Sequence, residues 1–241
     1  MFVPKAAAAA ILICALGAPA FAQSSAQQAA PPSPLMPITL DGNAERGSVL
    51  AETCKGCHGI PGYFNATPAY RVPKLGVQYA VYIEVALQGY RRSTRDHVTM
   101  QAQASSLTDQ DIADIAAYFA SYEGDPEVGR TRASEATIEA GRTKAATCVA
   151  CHGQEGVAGA PQWPNLAGQH ESYLLEALGQ YKNGDRVDLV MNPLAQPLDD
   201  ESIEQLAAFF ASQPHLHNTP IMPNYRRDPP RARHTCAYAV G

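Results

Sequence analysis

The chain has 241 residues, with 18 Lys and Arg against 23 Asp and Glu, for a net charge of −5. It holds no basic stripe that could neutralise a phosphate backbone, which excludes nucleic acid as a partner. The length allows one large domain or two small ones.

The N-terminus reads as an export signal. Lys5 supplies a positive start, residues 6–17 form an apolar stretch of twelve, and Ala20-Phe21-Ala22 matches the A-x-A cleavage pattern. The stretch is too short to cross a bilayer comfortably, and no other segment is long and apolar enough to span one. Residues 1–22 are expected to be removed, with an uncleaved anchor as the alternative, and the mature chain is expected in the periplasm. Residues 23–37, rich in Gln, Ala, Ser and Pro, are expected to form a disordered leader.

The first predicted helix covers about residues 43–55 and runs into Cys54-Lys55-Gly56-Cys57-His58. The pattern returns 94 residues later as Cys148-Val149-Ala150-Cys151-His152. C-x-x-C-H is the attachment signal of c-type haem: two thiols add across the vinyl groups and the adjacent histidine ligates the iron. A zinc site or a dithiol redox motif is the alternative for such cysteines. Two covalently attached haem c groups are expected, one on Cys54, Cys57 and His58, the other on Cys148, Cys151 and His152. Of the six cysteines, Cys14 lies in the N-terminal segment and Cys236 is left without a partner, so no disulfide framework is expected.

A second helix is predicted over 77–90. A third starts at Thr108-Asp109-Gln110-Asp111, a capping-box pattern with Asp in place of Glu, and places Ile112, Ile115, Ala116 and Phe119 on one face. Glu123-Gly124-Asp125-Pro126 stops it and opens a linker over 123–134. The second half repeats the order, with helices over 135–147 and 169–181 and a third from Asp199 carrying Ile203, Leu206, Ala207 and Phe210.

The halves overlay residue by residue. At an offset of 91, Pro73-Lys74-Leu75 falls on Pro164-Asn165-Leu166, Gln78 on Gln169, Tyr82 on Tyr173, Tyr90 on Tyr181 and Arg95 on Arg186. The haem motifs are 94 apart, so the first half carries three extra residues between His58 and Pro73. This is a duplicated domain. The expected fold is all-α: two domains over 38–122 and 135–213, each a few helices closing around a haem that completes a small core. Residues 214–241 lie outside the repeat. Arg226, Arg227, Arg231 and Arg233 stand there against Asp228, and the segment is expected to be a disordered Pro- and Arg-rich tail. His215, His217, His234 and Cys236 fit no standard metal spacing.

A haem with only a proximal histidine has an open face, and its occupant decides the chemistry. Met100 lies 42 residues after His58 and Met191 lies 39 after His152, a difference that equals the insertion. Both are expected in loops before the third helix, as sixth ligands that raise the potential and block small molecules. His97, three residues before Met100, could compete as a nitrogen ligand, with a solvent-facing loop position as its ordinary outcome.

The two C-x-x-C-H motifs, Pro164-Asn165-Leu166-Ala167-Gly168-Gln169, Met191-Asn192-Pro193-Leu194-Ala195-Gln196 and the 111–119 helix resemble the cytochrome c4-type family, tandem class I cytochrome c domains, over roughly residues 38–213. The resemblance implies His/Met ligation at both haems. It also implies that the Pro164 carbonyl accepts the second N–H of His152, with Pro73 in that role for His58. Met100 lacks the proline that follows Met191, a departure from the family pattern. The implied function is an electron carrier between respiratory donors and terminal oxidases or reductases. Its expected partners are transiently docking redox proteins, among them a membrane-bound oxidase, with no small-molecule substrate and no catalysis of its own. The alternative is the dihaem subunit of a dehydrogenase such as flavocytochrome c sulfide dehydrogenase. A dihaem peroxidase or thiosulfate dehydrogenase is a further reading, and the paired methionines argue against it.

Overall fold

The structure, a computed structural model, describes residues 36–122 and 131–218. The export signal, most of the leader, the Glu123–Pro126 stop, the Arg-rich tail and Cys236 lie outside the described residues. Among the described residues, no helix is long and apolar enough to cross a membrane.

The first half holds α1 (Ala44–Leu50), α2 (Glu52–His58), α3 (Ala80–Arg91), α4 (Val98–Ser105) and α5 (Asp109–Ala120). The second holds α6 (Glu135–Lys144), a 3-10 turn (Ala145–Thr147), α7 (Val149–His152), α8 (Glu171–Asn183), α9 (Met191–Ala195) and α10 (Asp200–Ser212). The caps explain where these begin. Asn43 accepts from the Arg46 N–H, Ser134 from the Thr137 N–H and Asp199 from the Ser202 N–H. Thr108 and Asp111 form the capping box read from the sequence.

Each half closes on its own apolar cluster. Ile83 and Leu87 of α3 meet Ile112, Ile115 and Phe119 of α5, and Leu174 of α8 meets Leu206, Phe209 and Phe210 of α10. The N-terminal helix of each half, α1 or α6, crosses its last helix, α5 or α10, at a glycine. A Cβ on Gly47 would stand 1.9 Å from the Asp114 carbonyl oxygen, and one on Gly141 would stand 1.9 Å from that of Gln205. These are equivalent positions in the repeat. No other residue lets the two backbones approach so closely.

Three features depart from the sequence expectations. Met100 and Met191 sit on short helices, α4 and α9, rather than in loops. The segment holding the three extra residues contains an antiparallel hairpin, β1 (Phe64–Ala66) with β2 (Ala69–Arg71), paired Phe64 with Arg71 and Ala66 with Ala69. It reaches the other half, where the Arg71 N–H donates to Ser172 Oγ at 3.0 Å and Tyr70 packs on Tyr173. Finally, the packed chain does not end at 213. The Leu216 N–H donates to the Ala167 carbonyl at 3.0 Å and the His217 N–H to the Gly76 carbonyl at 3.2 Å. Leu216 is fully buried, so residues 214–217 are a strap across both halves, and any tail begins beyond them. At the other end, Met36 of the expected leader accepts from Gln88 Nε2 through its carbonyl.

The halves join by contacts that obey the repeat. Gln78 donates to the Asn165 carbonyl and accepts from the Asn165 N–H, at 3.0 and 2.9 Å. Gln169 does the same to Lys74, at 3.1 and 2.9 Å. The Val187 N–H donates to the Thr94 carbonyl, and the Asp96 N–H to that of Asp185, around an antiparallel bridge between Arg95 and Arg186. The interface has pseudo-two-fold symmetry, with Arg95 and Arg186 paired across the axis.

Candidate haem sites

In each half, the cysteines and histidine of the motif lie on or at the start of one short helix: Cys54, Cys57 and His58 on α2, and Cys151 and His152 on α7 with Cys148 as its N-cap, all four thiols free and half-buried. Burial raises the Cys54 and Cys148 thiols above the ordinary cysteine range. His58 and His152 end these helices. Nδ1 of His58 lies 2.8 Å from the Pro73 carbonyl oxygen, and Nδ1 of His152 lies 3.0 Å from that of Pro164. A carbonyl only accepts, so Nδ1 carries the proton and Nε2 the lone pair. Both prolines therefore make the contact that the resemblance implies, including Pro73 with its longer spacing. Burial lowers the proton affinity of both rings. The proline carbonyl works against it in each, His97 adds to it at His58, and Asp188 opposes it at His152. Both rings are therefore neutral near neutral pH, the form that ligates a metal.

Met100 packs, half-buried, against the same apolar cluster as Cys54. The Met100 N–H donates to His97 Nδ1 at 3.1 Å, which makes His97 the N-cap of α4. His97 is half-buried beside Tyr70 and Tyr90, not a solvent-facing loop residue. Met191, also half-buried, opens α9, and its N–H donates to Asp188 Oδ1 at 2.8 Å. The proline after Met191 falls in the first turn of its helix, where a missing N–H breaks no bond.

The domain interface supplies a test of whether a haem fits. Arg95 and Arg186 are 6% and 4% exposed, and both donate to Tyr82 Oη, at 2.6 and 2.7 Å. Their guanidiniums lie over the rings of Tyr82, Tyr90 and Tyr181. Among the described residues neither is paired with a carboxylate, and Arg186 Nε is buried without a hydrogen-bond partner. Two buried cations without anions are costly. They would meet the propionate carboxylates that a haem brings, so the residues present fit the group. Sequence reading matched both arginines across the repeat but gave them no role; their equivalence, with tyrosines at matched positions, was the available signal.

The comparisons agree with the geometry. The cytochrome c family matches residues 44–123 and 138–214. Cytochrome c4 of Pseudomonas aeruginosa is 30% identical over 70% of this chain and 87% of its own length. A thiosulfate dehydrogenase electron acceptor of Stutzerimonas stutzeri is 29% identical over 67% of this chain and 79% of its own. Among solved structures, reduced recombinant cytochrome c4 from Pseudomonas stutzeri aligns with a TM-score of 0.61 at 28% identity, covering 71% of this chain and 99% of that one. The chain belongs to the cytochrome c family as a two-domain member of the cytochrome c4 type, a dihaem electron carrier with two covalently attached haem c groups.

Proposed function

We propose that Cys54, Cys57 and His58 hold one haem and Cys148, Cys151 and His152 the other, with Met100 and Met191 as the second axial ligands. The chain then shuttles single electrons in the periplasm between respiratory donors and terminal oxidases or reductases. The observation that carries this is the matched pair of histidine–proline clamps, each followed at the same repeat position by a methionine whose N–H a side chain holds. The bound haem supplies one-electron chemistry. The chain's own residues do the rest: the proline carbonyl orients each imidazole and raises its basicity, and each thioether would complete the iron's protein ligands and so disfavour substrate binding there. The A-x-A pattern at 20–22 supports export.

Intact mass after acid extraction should exceed the apo-protein by two haems. Met100→Ala and Met191→Ala should each remove about half of the long-wavelength band of thioether-ligated ferric haem, the fraction set by one ligand of two. An unchanged band in Met100→Ala would remove Met100 from the ligand set.

One relative's name favours a specific donor. The similarity to a thiosulfate dehydrogenase electron acceptor supports a sulfur-oxidising dehydrogenase as the protein that reduces this chain. Reduction of the purified chain by thiosulfate should then require a thiosulfate dehydrogenase. Equal reduction without one would make the chain an enzyme.

A further inference from the structure

The surfaces around the two methionines differ. Val187, Leu189, Val190 and Leu194 are 41%, 64%, 54% and 48% exposed, large apolar side chains close together in the chain. They flank Met191, the half-buried residue that opens α9. At the repeat offset they fall on Asp96, Val98, Thr99 and Gln103, of which only Val98 is large and apolar. Exposed apolar clusters rimmed by polar groups mark contact sites, and the second half alone has one here.

The rim is acidic. Residues 182–200 carry Asp185, Asp188, Asp199 and Asp200, all exposed, against Lys182 and the buried Arg186. Lys182 is engaged with Asp200 at 3.1 Å. Asn192 Nδ2 donates to the Tyr181 carbonyl at 2.6 Å, which holds the apolar run against the end of α8 beside that pair. The equivalent residues 91–109 carry only Asp96 and Asp109 against Arg91, Arg92 and Arg95, and His97 stands where Asp188 does.

The chain supplies a counterpart. The described residues end at Asn218, just after the strap residue His217 that bonds to Gly76. Residues 219–241 hold Arg226, Arg227, Arg231 and Arg233 against Asp228, a net +3, with Ile221, Met222 and Tyr225 ahead of the arginines. Residues 23–218 hold 13 basic and 22 acidic residues, a net −9. At about 3.3 Å per extended residue, Arg226 can stand up to roughly 26 Å from Asn218 and Arg233 roughly 50 Å. A domain of this size has a radius of gyration of only about 12 Å, so both faces lie within reach and composition selects between them.

We propose that residues 219–241 dock on the 187–194 face of the second half, with their apolar side chains on Val187, Leu189, Val190 and Leu194 and their arginines on the surrounding aspartates. A tethered segment acts at an effective concentration on the order of millimolar, so a millimolar contact occupies the face about half the time. Arginine suits the task because its planar fork pairs with carboxylates in two bonds. The docked segment covers the surface beside Met191. That this surface borders the second haem rests on the axial ligand assigned above; the docking does not.

The test uses the full mature holoprotein. Cys236 is the one thiol there that no haem motif uses, and it takes a gadolinium chelate. In backbone NMR spectra of the reduced protein, the amide signals of residues 187–194 should fade by about half at low salt, the share of time the face is occupied, while those of residues 96–103 persist. The signals should recover near 1 M salt, where the Debye length falls to about 3 Å. Replacing the four arginines by glutamine, or Leu189→Ser at an exposed position, should weaken the fading about twofold or more, the loss expected when one of two contributions to a marginal contact is removed. Persistence of the 187–194 signals at low salt, or equal fading of 96–103, would overturn the proposal. Fading that appears only on raising the protein concentration would assign the face to a second copy, and fading only on adding anionic vesicles to a membrane surface; either also overturns it. If Met191→Ala leaves the thioether band unchanged while the fading stands, the ligand assignment falls and the docking survives.

Discussion

The two halves build the same helix crossing from different chemistry. In the first, Arg46 of α1 pairs with Asp111 and Asp114 of α5, and Asp114 also accepts from the Asn43 N–H and from Gln110. In the second, the equivalent positions are Ala140, Ser202 and Gln205, and Gln205 Oε1 is buried without a hydrogen-bond partner. What both halves keep is the glycine against a carbonyl. The glycine fixes how close the helices come, and the polar groups around it vary freely once that distance is set.

The largest effect should come from that glycine. Valine at Gly47 or at Gly141 forces the helices apart and should destabilise either half by more than about 3 kcal/mol. Thermal unfolding of the two variants checks it, and equal losses would show that the charged cluster does not rescue the first crossing. Next is the strap. A chain ending at Gln213 loses buried Leu216 and two backbone bonds, one to each half, and should lose about 2–4 kcal/mol. An unchanged midpoint would show that the halves hold together without it.

The smallest effect separates the halves by pH. Burial opposes ionisation of Asp114, but the Asn43 N–H, Arg46 and Gln110 outweigh it and hold the carboxyl below its usual range. Its folded pKa is thus below the unfolded value of about 3.9. The stability it contributes is present above that value and is lost as pH falls through the folded pKa. Asp114→Asn should cost about 1 kcal/mol near neutral pH and flatten the fall in melting temperature below about pH 4. An unaltered acid profile would place the acid-sensitive group elsewhere.

Much of this was legible beforehand. The haem motifs, the repeat and the long helices follow from cysteine spacing and 3.6-residue periodicity, and the capping box at Thr108 appeared where read. The proline contacts followed from the resemblance. The methionine helices were missed because they are eight and five residues long, too short for a periodic signal. The hairpin was missed because three-residue strands have no alternation to read. The strap was hidden by composition: Pro214, His215 and Asn218 read as coil, and only the burial of Leu216 between both halves reveals it. Gln78 and Gln169 had been matched as repeat positions, but an overlay cannot show that equivalent residues hold each other's domain.

That reciprocity has a consequence for how such a molecule could arise. In a contact made by equivalent residues, one glutamine supplies both clasps and one arginine both central cations. This is the isologous interface of a symmetric dimer. A single ancestral domain could have formed it between two separate copies, before any linker existed. Fusion would then leave these reciprocal contacts as they were. It freed each copy to drift from the other, and the positions at 97 and 188 are where they have parted in charge.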